Sequence, residues 1–410
     1  MKSRIIALAV SALCWGFMKA ETEEVTYDYV ADGVYYKILE DQENCVEVAS
    51  SDRSAPETLI IPSKVTINGS DYTVVKLGYE SLQDCRNSKN LLLPSTLKVI
   101  EPDACIANFE YVEFPQNLEV IGSWAFYSNY LNSIIIPDKV SRLPDESFRD
   151  NYTAHTMVLG RGIKSLGHEV ISSEVWNIRE HWKNESLLKD LYVLAPEAPE
   201  FDYDAKPFCD IDNLEDITVY IPEGSLESYT AYKEPVIVDH PDYPYDNHGW
   251  QWWTHFKKFK TIPDLFIVIG IPYDVSLKQT ETRRIFSTVI NYADVTILSD
   301  KWEYDPAVIR IENDVITAVG GGETEAKRII ETSTGKYESK PIAIKVKGAS
   351  GVELPVVEAK PEAAEAASTT DADHFFFTID GIPAGSNPDR LAPGIYIEHD
   401  HGKTRKFIKR

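Results

Sequence analysis

A repeat of about 22 residues constrains this chain more than any other feature. The proline that closes each short apolar run serves as an origin. Pro94, Pro115 and Pro137 follow one another at nearly constant spacing, and Gly160 continues the series. Three residues after the origins stand Leu97, Leu118, Val140 and Ile163; six after, Ile100, Ile121, Leu143 and Leu166; eleven after, Cys105, Phe126, Phe148 and Ile171. A short alternating strand precedes each origin, with Leu91/Leu93, Val112/Phe114, Ile134/Ile136 and Met157/Leu159 on one face. Ile61-Pro62 reads as an earlier origin carrying an inserted hairpin around Asn68-Gly69, after which Leu77, Leu82 and Cys85 rejoin the columns.

One such unit cannot fold alone, because its few apolar side chains do not offset the cost of ordering its backbone. Stacked units share burial and a parallel strand ladder, so the pattern predicts a solenoid. A polar column supports this. Asn108, Asn129 and Asn151 lie fourteen residues after the origins, each followed by an aromatic: Phe109, Tyr130 and Tyr152. A recurrent Asn at a solenoid turn can bond backbone groups of neighbouring coils that would otherwise be buried unpaired. Glu174 ends the column.

Segments such as Ser133–Val140 and Leu118–Phe126 resemble the BspA-like leucine-rich repeats of Bacteroidetes surface proteins, over roughly residues 55–235. The Tyr220-Ile-Pro-Glu-Gly-Ser225 turn, Tyr229 and the Trp250…Phe259…Ile262 run are similar to that family's terminal pattern. The resemblance implies a surface-displayed protein associated with adhesion or with binding host or extracellular-matrix proteins. The fold expected is mainly β: a leucine-rich-repeat solenoid over 56–262 with its C-terminal cap, and an N-terminal hairpin cap over 21–55 built on Asp32-Gly33.

From residue 263 the repeat disappears. Short β-rich runs at Phe266–Ile271, Arg284–Tyr292, Val308–Ile311, Ile329–Glu331 and Ile342–Val346 predict a β-sandwich over 263–348. Pro306–Gly320 resembles the signature of group 2 bacterial Ig-like domains, usually spacers or adhesive modules. Gly320-Gly321-Gly322 lacks the Lys-Ser/Thr of a phosphate-cradling loop and reads as a turn between strands. The Ala/Glu/Pro-rich 349–372 predicts a linker. Residues 373–410 predict a short β-rich tail similar to the sorting domains of type IX-secreted proteins.

Lys2 and Arg4, an apolar run from Ile5 to Met18, and Ala20 before an acidic stretch read as a signal peptide over 1–20, implying secretion or display at the outer surface. No transmembrane segment is expected in the mature chain. The net charge of −24 argues against nucleic-acid partners, which require Lys/Arg neutralisation of phosphates. Cys45, Cys85, Cys105 and Cys209 fit no short zinc motif and predict buried free thiols.

No catalytic constellation stands out: there is no Gly-x-Ser-x-Gly elbow and no His-Glu-x-x-His. The chain is therefore read as a non-enzyme without cofactor or metal, and the His240…His248 stretch as a polar loop. Two binding surfaces are expected. The first is the outward strip of the strand face, two and four residues before each origin, with Tyr111, Glu113 and Ile135 as its leading residues. The second is the aromatic insertion over 240–256, with Tyr243, Tyr245 and Trp252 exposed while Trp250, Trp253 and Phe256 plug the solenoid end. The partner expected is a host or matrix protein on the repeats, or alternatively a glycan held by the aromatic insertion. A hydrolase with an unrecognised site is the further alternative.

Overall fold

The computed structural model describes residues 3–5, 25–171, 187–202, 205–209, 211, 213–231, 252–348, 374–378, 383–385, 394–400 and 403–409. Among the described residues the fold is mainly β with almost no helix, and the chain divides into two compact units, Met1–Ser350 and Gly351–Arg410.

In the first unit, each repeat contributes two strands to two parallel ladders. The longer strands, just before each origin, are Asn90–Leu92, Tyr111–Glu113, Ser133–Ile135 and Thr156–Leu159. Asp190–Val193, Thr218–Ile221 and Lys258–Thr261 continue this ladder in parallel past the readable repeats. The shorter strands sit on the six-after column: Val99–Ile100 pairs in parallel with Val120–Ile121 on one side and with Ser70–Leu77 on the other, and Arg142–Leu143 pairs with Ser165–Leu166. Register follows the sequence columns, since Leu77, Ile100 and Ile121 are direct partners.

The apolar columns form one continuous core. Leu97, Ile100, Cys105, Leu118, Phe126, Val140, Leu143, Phe148 and Leu166 are fully buried, and Phe126 stacks on Phe148 at 5.3 Å. The arc between the two strands is fixed by backbone bonds to the next repeat. Cys105, Phe126 and Phe148 donate to the carbonyls of Ala125, Ser147 and Val170 at 2.8–3.0 Å. Two residues earlier, Asp103, Trp124, Glu146 and Glu169 adopt the left-handed conformation at φ of 57°, 58°, 54° and 46°, and none is glycine. Their amides donate to Ser123, Asp145, His168 and Lys206. Those bonds offset a conformation that costs an ordinary residue roughly 1–3 kcal/mol.

The asparagine column behaves as the sequence predicts. Asn129 accepts from the Phe109 amide at 2.9 Å and donates to the Cys105 carbonyl at 2.7 Å. Asn151 accepts from Leu131 and donates to Phe126 and Phe148. Asn108 is only half-buried and donates to the Arg86 carbonyl at 2.8 Å. Glu174 lies outside the described residues.

At the N-terminal side, Tyr29–Ala31 and Val34–Ile38 form the expected hairpin, with Asp32 and Gly33 at positive φ. Val34–Ile38 pairs with Cys45–Ser51, which joins Ser70–Leu77 in parallel. The inserted hairpin is Lys64–Ile67 against Ser70–Leu77, turning at Asn68-Gly69. Ser3–Ile5 pairs with Val25–Tyr27, and residues 6–24, which include most of the leader expected over 1–20, are not described. At the other side, Trp253 and Phe256 are buried in the repeat core with Phe208 and Tyr229, and the Trp253 indole donates to Pro199 at 2.9 Å.

Residues 265–347 form small β-sheets around a separate core of Val275, Leu277, Ile309, Ile316, Ile342 and Ile344. Asp274–Lys278 runs parallel to Ile342–Lys347, which pairs antiparallel with the long Gly322–Thr332 strand; Ile297–Glu303 follows at the edge. Val315–Ala318 lies between Thr282–Arg284 and Ile309–Glu312, and Leu265–Ile269 pairs with Ser287–Asn291. The triple glycine links two strands, as a turn should.

In the second unit, His374–Thr378, Pro383–Gly385, Gly394–Asp400 and Lys403–Lys409 make an antiparallel sheet. Residues 349–373 are not described.

Candidate binding face

The parallel ladder brings the residues two and four before each origin into two rows. Asn90 pairs with Tyr111, and Ser133, Thr156, Asp190 and Thr218 align across successive strands. The second row includes Leu92, Glu113, Ile135, Val158, Tyr192 and Tyr220. Both rows face away from the repeat core, as the alternation predicts.

Most of these residues are covered rather than open to solvent. The β module of residues 265–347 packs onto this face, which corrects the expectation of an open strip. Tyr111 is only 6% exposed, and its ring stacks on Phe286 with centroids 3.8 Å apart. Gly270 lies so close above that ring that a Cβ there would come within 2.7 Å of Tyr111 Cε2. Ile135 is half-buried against a second cluster of Val158, Leu194, Ile262, Phe266 and Val268. Tyr192 is sandwiched between Tyr220 at 4.3 Å and Phe266 at 3.9 Å. Of the strip's three leading residues, Glu113 alone is exposed.

Polar contacts complete the seam. Arg283 bridges to Glu110 at 3.4 Å, and Lys340 pairs with Asp190. Arg161 donates to the Tyr292 carbonyl at 2.8 Å, with its guanidinium 4.5 Å from the centre of that ring. His155 lies under Tyr273, ring centres 4.1 Å apart. Burial lowers the His155 pKa to about 4; the Ile271 backbone opposes that shift, Lys340 reinforces it and Asp190 opposes it. Burial pushes the Tyr273 hydroxyl up to about 12, and drives Tyr111 and Tyr192 further in the same direction. The seam is therefore held by neutral aromatic and histidine side chains framed by ion pairs.

Tyr243 and Tyr245 lie outside the described residues. Trp252 begins a short 3-10 turn, Trp252–His255, one residue before the buried Trp253.

Two groupings were missed. Tyr130 and Tyr152, at one column of successive repeats, remain 40% and 36% exposed and meet edge to face at 5.6 Å. The aromatic column was visible in the sequence, but only the structure separates these rings from the buried Phe109. His168, Glu169 and Cys209 bring one ligand atom each within 4.8 Å of one another. No short motif spans that set, because Cys209 arrives from the following repeat. Among the described residues no cysteine forms a disulfide; Cys85 and Cys105 are buried, Cys45 and Cys209 half-buried.

Residues 75–185 match the BspA type leucine rich repeat region in six copies. No curated protein matches the chain. Among solved structures, the chain is similar to a leucine-rich repeat protein from Bacteroides ovatus, at 18% identity and a TM-score of 0.25 over 48% of this chain and 66% of that one. It is similar to the pneumococcal vaccine antigen PcpA at 13% identity and a TM-score of 0.28, over 48% of this chain and 50% of that one. A leucine rich cell surface protein from Faecalibacterium prausnitzii aligns at 10% identity and a TM-score of 0.24, over 57% of this chain and 94% of that one.

Proposed function

We propose that this chain is a non-catalytic binding protein displayed outside the cell. In this reading the repeat solenoid and the Ig-like module form one rigid body, and a host or matrix protein is met on the turn side rather than on the strand face. The BspA-type repeats of residues 75–185 and the signal-like N-terminus support the surface setting. Among the described residues no helix is long and apolar enough to cross a membrane.

The observation that carries the choice of surface is the Tyr130–Tyr152 pair. Both rings keep more than a third of their surface in water, although the equivalent Phe109 is fully buried, so the fold does not require them to be exposed. Burial of the hydroxyl, then its hydrogen bond with Tyr130, pushes Tyr152 up to about 12, so it stays a neutral donor. Rigid amphipathic rings of this kind concentrate binding energy at protein interfaces.

The test is surface plasmon resonance of the full chain against a panel of matrix proteins and glycans. A matrix-protein ligand weakened at least tenfold by Tyr130→Ala/Tyr152→Ala is expected. A panel with no ligand overturns the reading. Loss of glycan binding in Tyr243→Ala/Tyr245→Ala/Trp252→Ala, with the Tyr130/Tyr152 variant unaffected, replaces it with glycan capture by the aromatic insertion.

A further inference from the structure

We propose that His168, Glu169 and Cys209 form a half-buried three-ligand site for a divalent transition metal, with zinc the best match. The site is independent of the partner-binding reading and departs from the metal-free expectation of the sequence.

The geometry is close to a zinc site before any ion enters. The three donor atoms lie within 4.8 Å of one another, and His168 Nε2 is 3.1 Å from Glu169 Oε1. Tetrahedral zinc, with bonds of about 2.0–2.3 Å, holds neighbouring donors roughly 3.3–3.6 Å apart. The His–Glu edge, at 3.1 Å, must open by a few tenths of an ångström, and the thiol must close by about an ångström. A thiolate with an imidazole selects zinc over magnesium or calcium, which prefer oxygen alone.

The two segments that carry the donors are fastened together by backbone. Glu169 N donates to the Lys206 carbonyl and Ile171 N to the Pro207 carbonyl, both at 3.1 Å, and within the second segment Cys209 N turns back onto the Lys206 carbonyl at 3.2 Å. Glu169, in its left-handed conformation, sets its carboxylate beside the preceding imidazole. The other Glu169 oxygen is paired with Arg149, which also bridges to Glu146. A divalent ion added to one guanidinium, two carboxylates and a thiolate gives a neutral cluster. Half-burial leaves the fourth position to water.

Binding is a proton exchange. The thiol loses its proton to solvent as the S–metal bond forms. Coordination through Nε2 places the remaining ring proton on Nδ1, which then releases the long 3.2 Å contact it accepts from the Lys206 amide.

The experiment uses the full chain, reduced and freed of metal by chelator, titrated with Co(II) and then Zn(II). Expected are one metal per chain, a thiolate-to-cobalt charge-transfer band, and displacement of cobalt by zinc. Cys209→Ser abolishes the band, His168→Ala weakens binding at least tenfold, and Cys45→Ser changes neither. Zinc raises the melting temperature of the native chain and not that of Cys209→Ser. A folded chain, judged by circular dichroism, that shows no thiolate band at saturating cobalt overturns the proposal, as does a band that survives Cys209→Ser. Where Cys209→Ser does not fold, the half-exposed His168→Gln serves in its place and must lose at least tenfold in affinity.

Discussion

Acidification from about pH 7 to about pH 5 should weaken the first unit specifically through His155. The ring is 8% exposed, lies against Tyr273 and has its pKa lowered from 6.5 to about 4. Between those values the unfolded chain binds a proton that the folded chain refuses, so stability falls as pH falls. The contribution is intact above pH 6.5 and lost as pH approaches 4. The full gap corresponds to about 3 kcal/mol, and about 2 kcal/mol of it is lost by pH 5. The many acidic residues also titrate, so the measurement is a difference. Urea unfolding, followed by tryptophan fluorescence, is compared for the native chain and His155→Phe at both pH values. The phenyl ring keeps the contact with Tyr273 and cannot be protonated. The native chain should lose about 2 kcal/mol more than the variant. Equal losses, within about 0.5 kcal/mol, would refute the argument that a buried neutral histidine sits in the seam.

Three further outcomes follow from the same structure. Asn129→Ala leaves the Phe109 amide and Cys105 carbonyl without their partner inside the core, and should cost about 2–4 kcal/mol in chemical denaturation. Gly122→Ala pushes a Cβ to 2.6 Å from the Glu101 carbonyl carbon, a backbone clash between repeats, and should lower stability by about 1–3 kcal/mol; Gly348→Ala, in open space at ordinary φ, should change little. A double-mutant cycle of Tyr111→Ala and Phe286→Ala should give a coupling of about 0.5–1.5 kcal/mol, whereas additive effects would mean the stack contributes nothing beyond burial.

The repeat was legible because its causes are local and periodic. Leu97, Leu118 and Val140 recur at a nearly constant spacing, and each is buried for the same reason. The same periodicity exposed the Asn129 and Asn151 column. The covered strand face was not legible. Tyr111 meets Phe286 across 175 residues of chain, and no pattern within the repeat marks a face that another module will cover. The extension of the strip to Tyr192 and Tyr220 was hidden by the irregular stretch after Ile171, which breaks the spacing. The left-handed column was hidden for a different reason. Asp103, Trp124, Glu146 and Glu169 carry no glycine signature, because bonds to the next repeat hold a conformation that local preference disfavours. The site of His168, Glu169 and Cys209 likewise depends on which residues two neighbouring arcs bring together.

The covered strand face sets a competition threshold for any molecule that would use it. The β module follows the last ladder strand, Lys258–Thr261, after only a few residues, so it is tethered beside its own docking surface. Such a tether corresponds to an effective concentration on the order of millimolar. A free ligand that recognises the strip no better than the module does would need a comparable concentration to displace it. Two kinds of partner escape that limit: one that engages several copies of the protein at once, and one that reads repeats and module together along the rim of their seam.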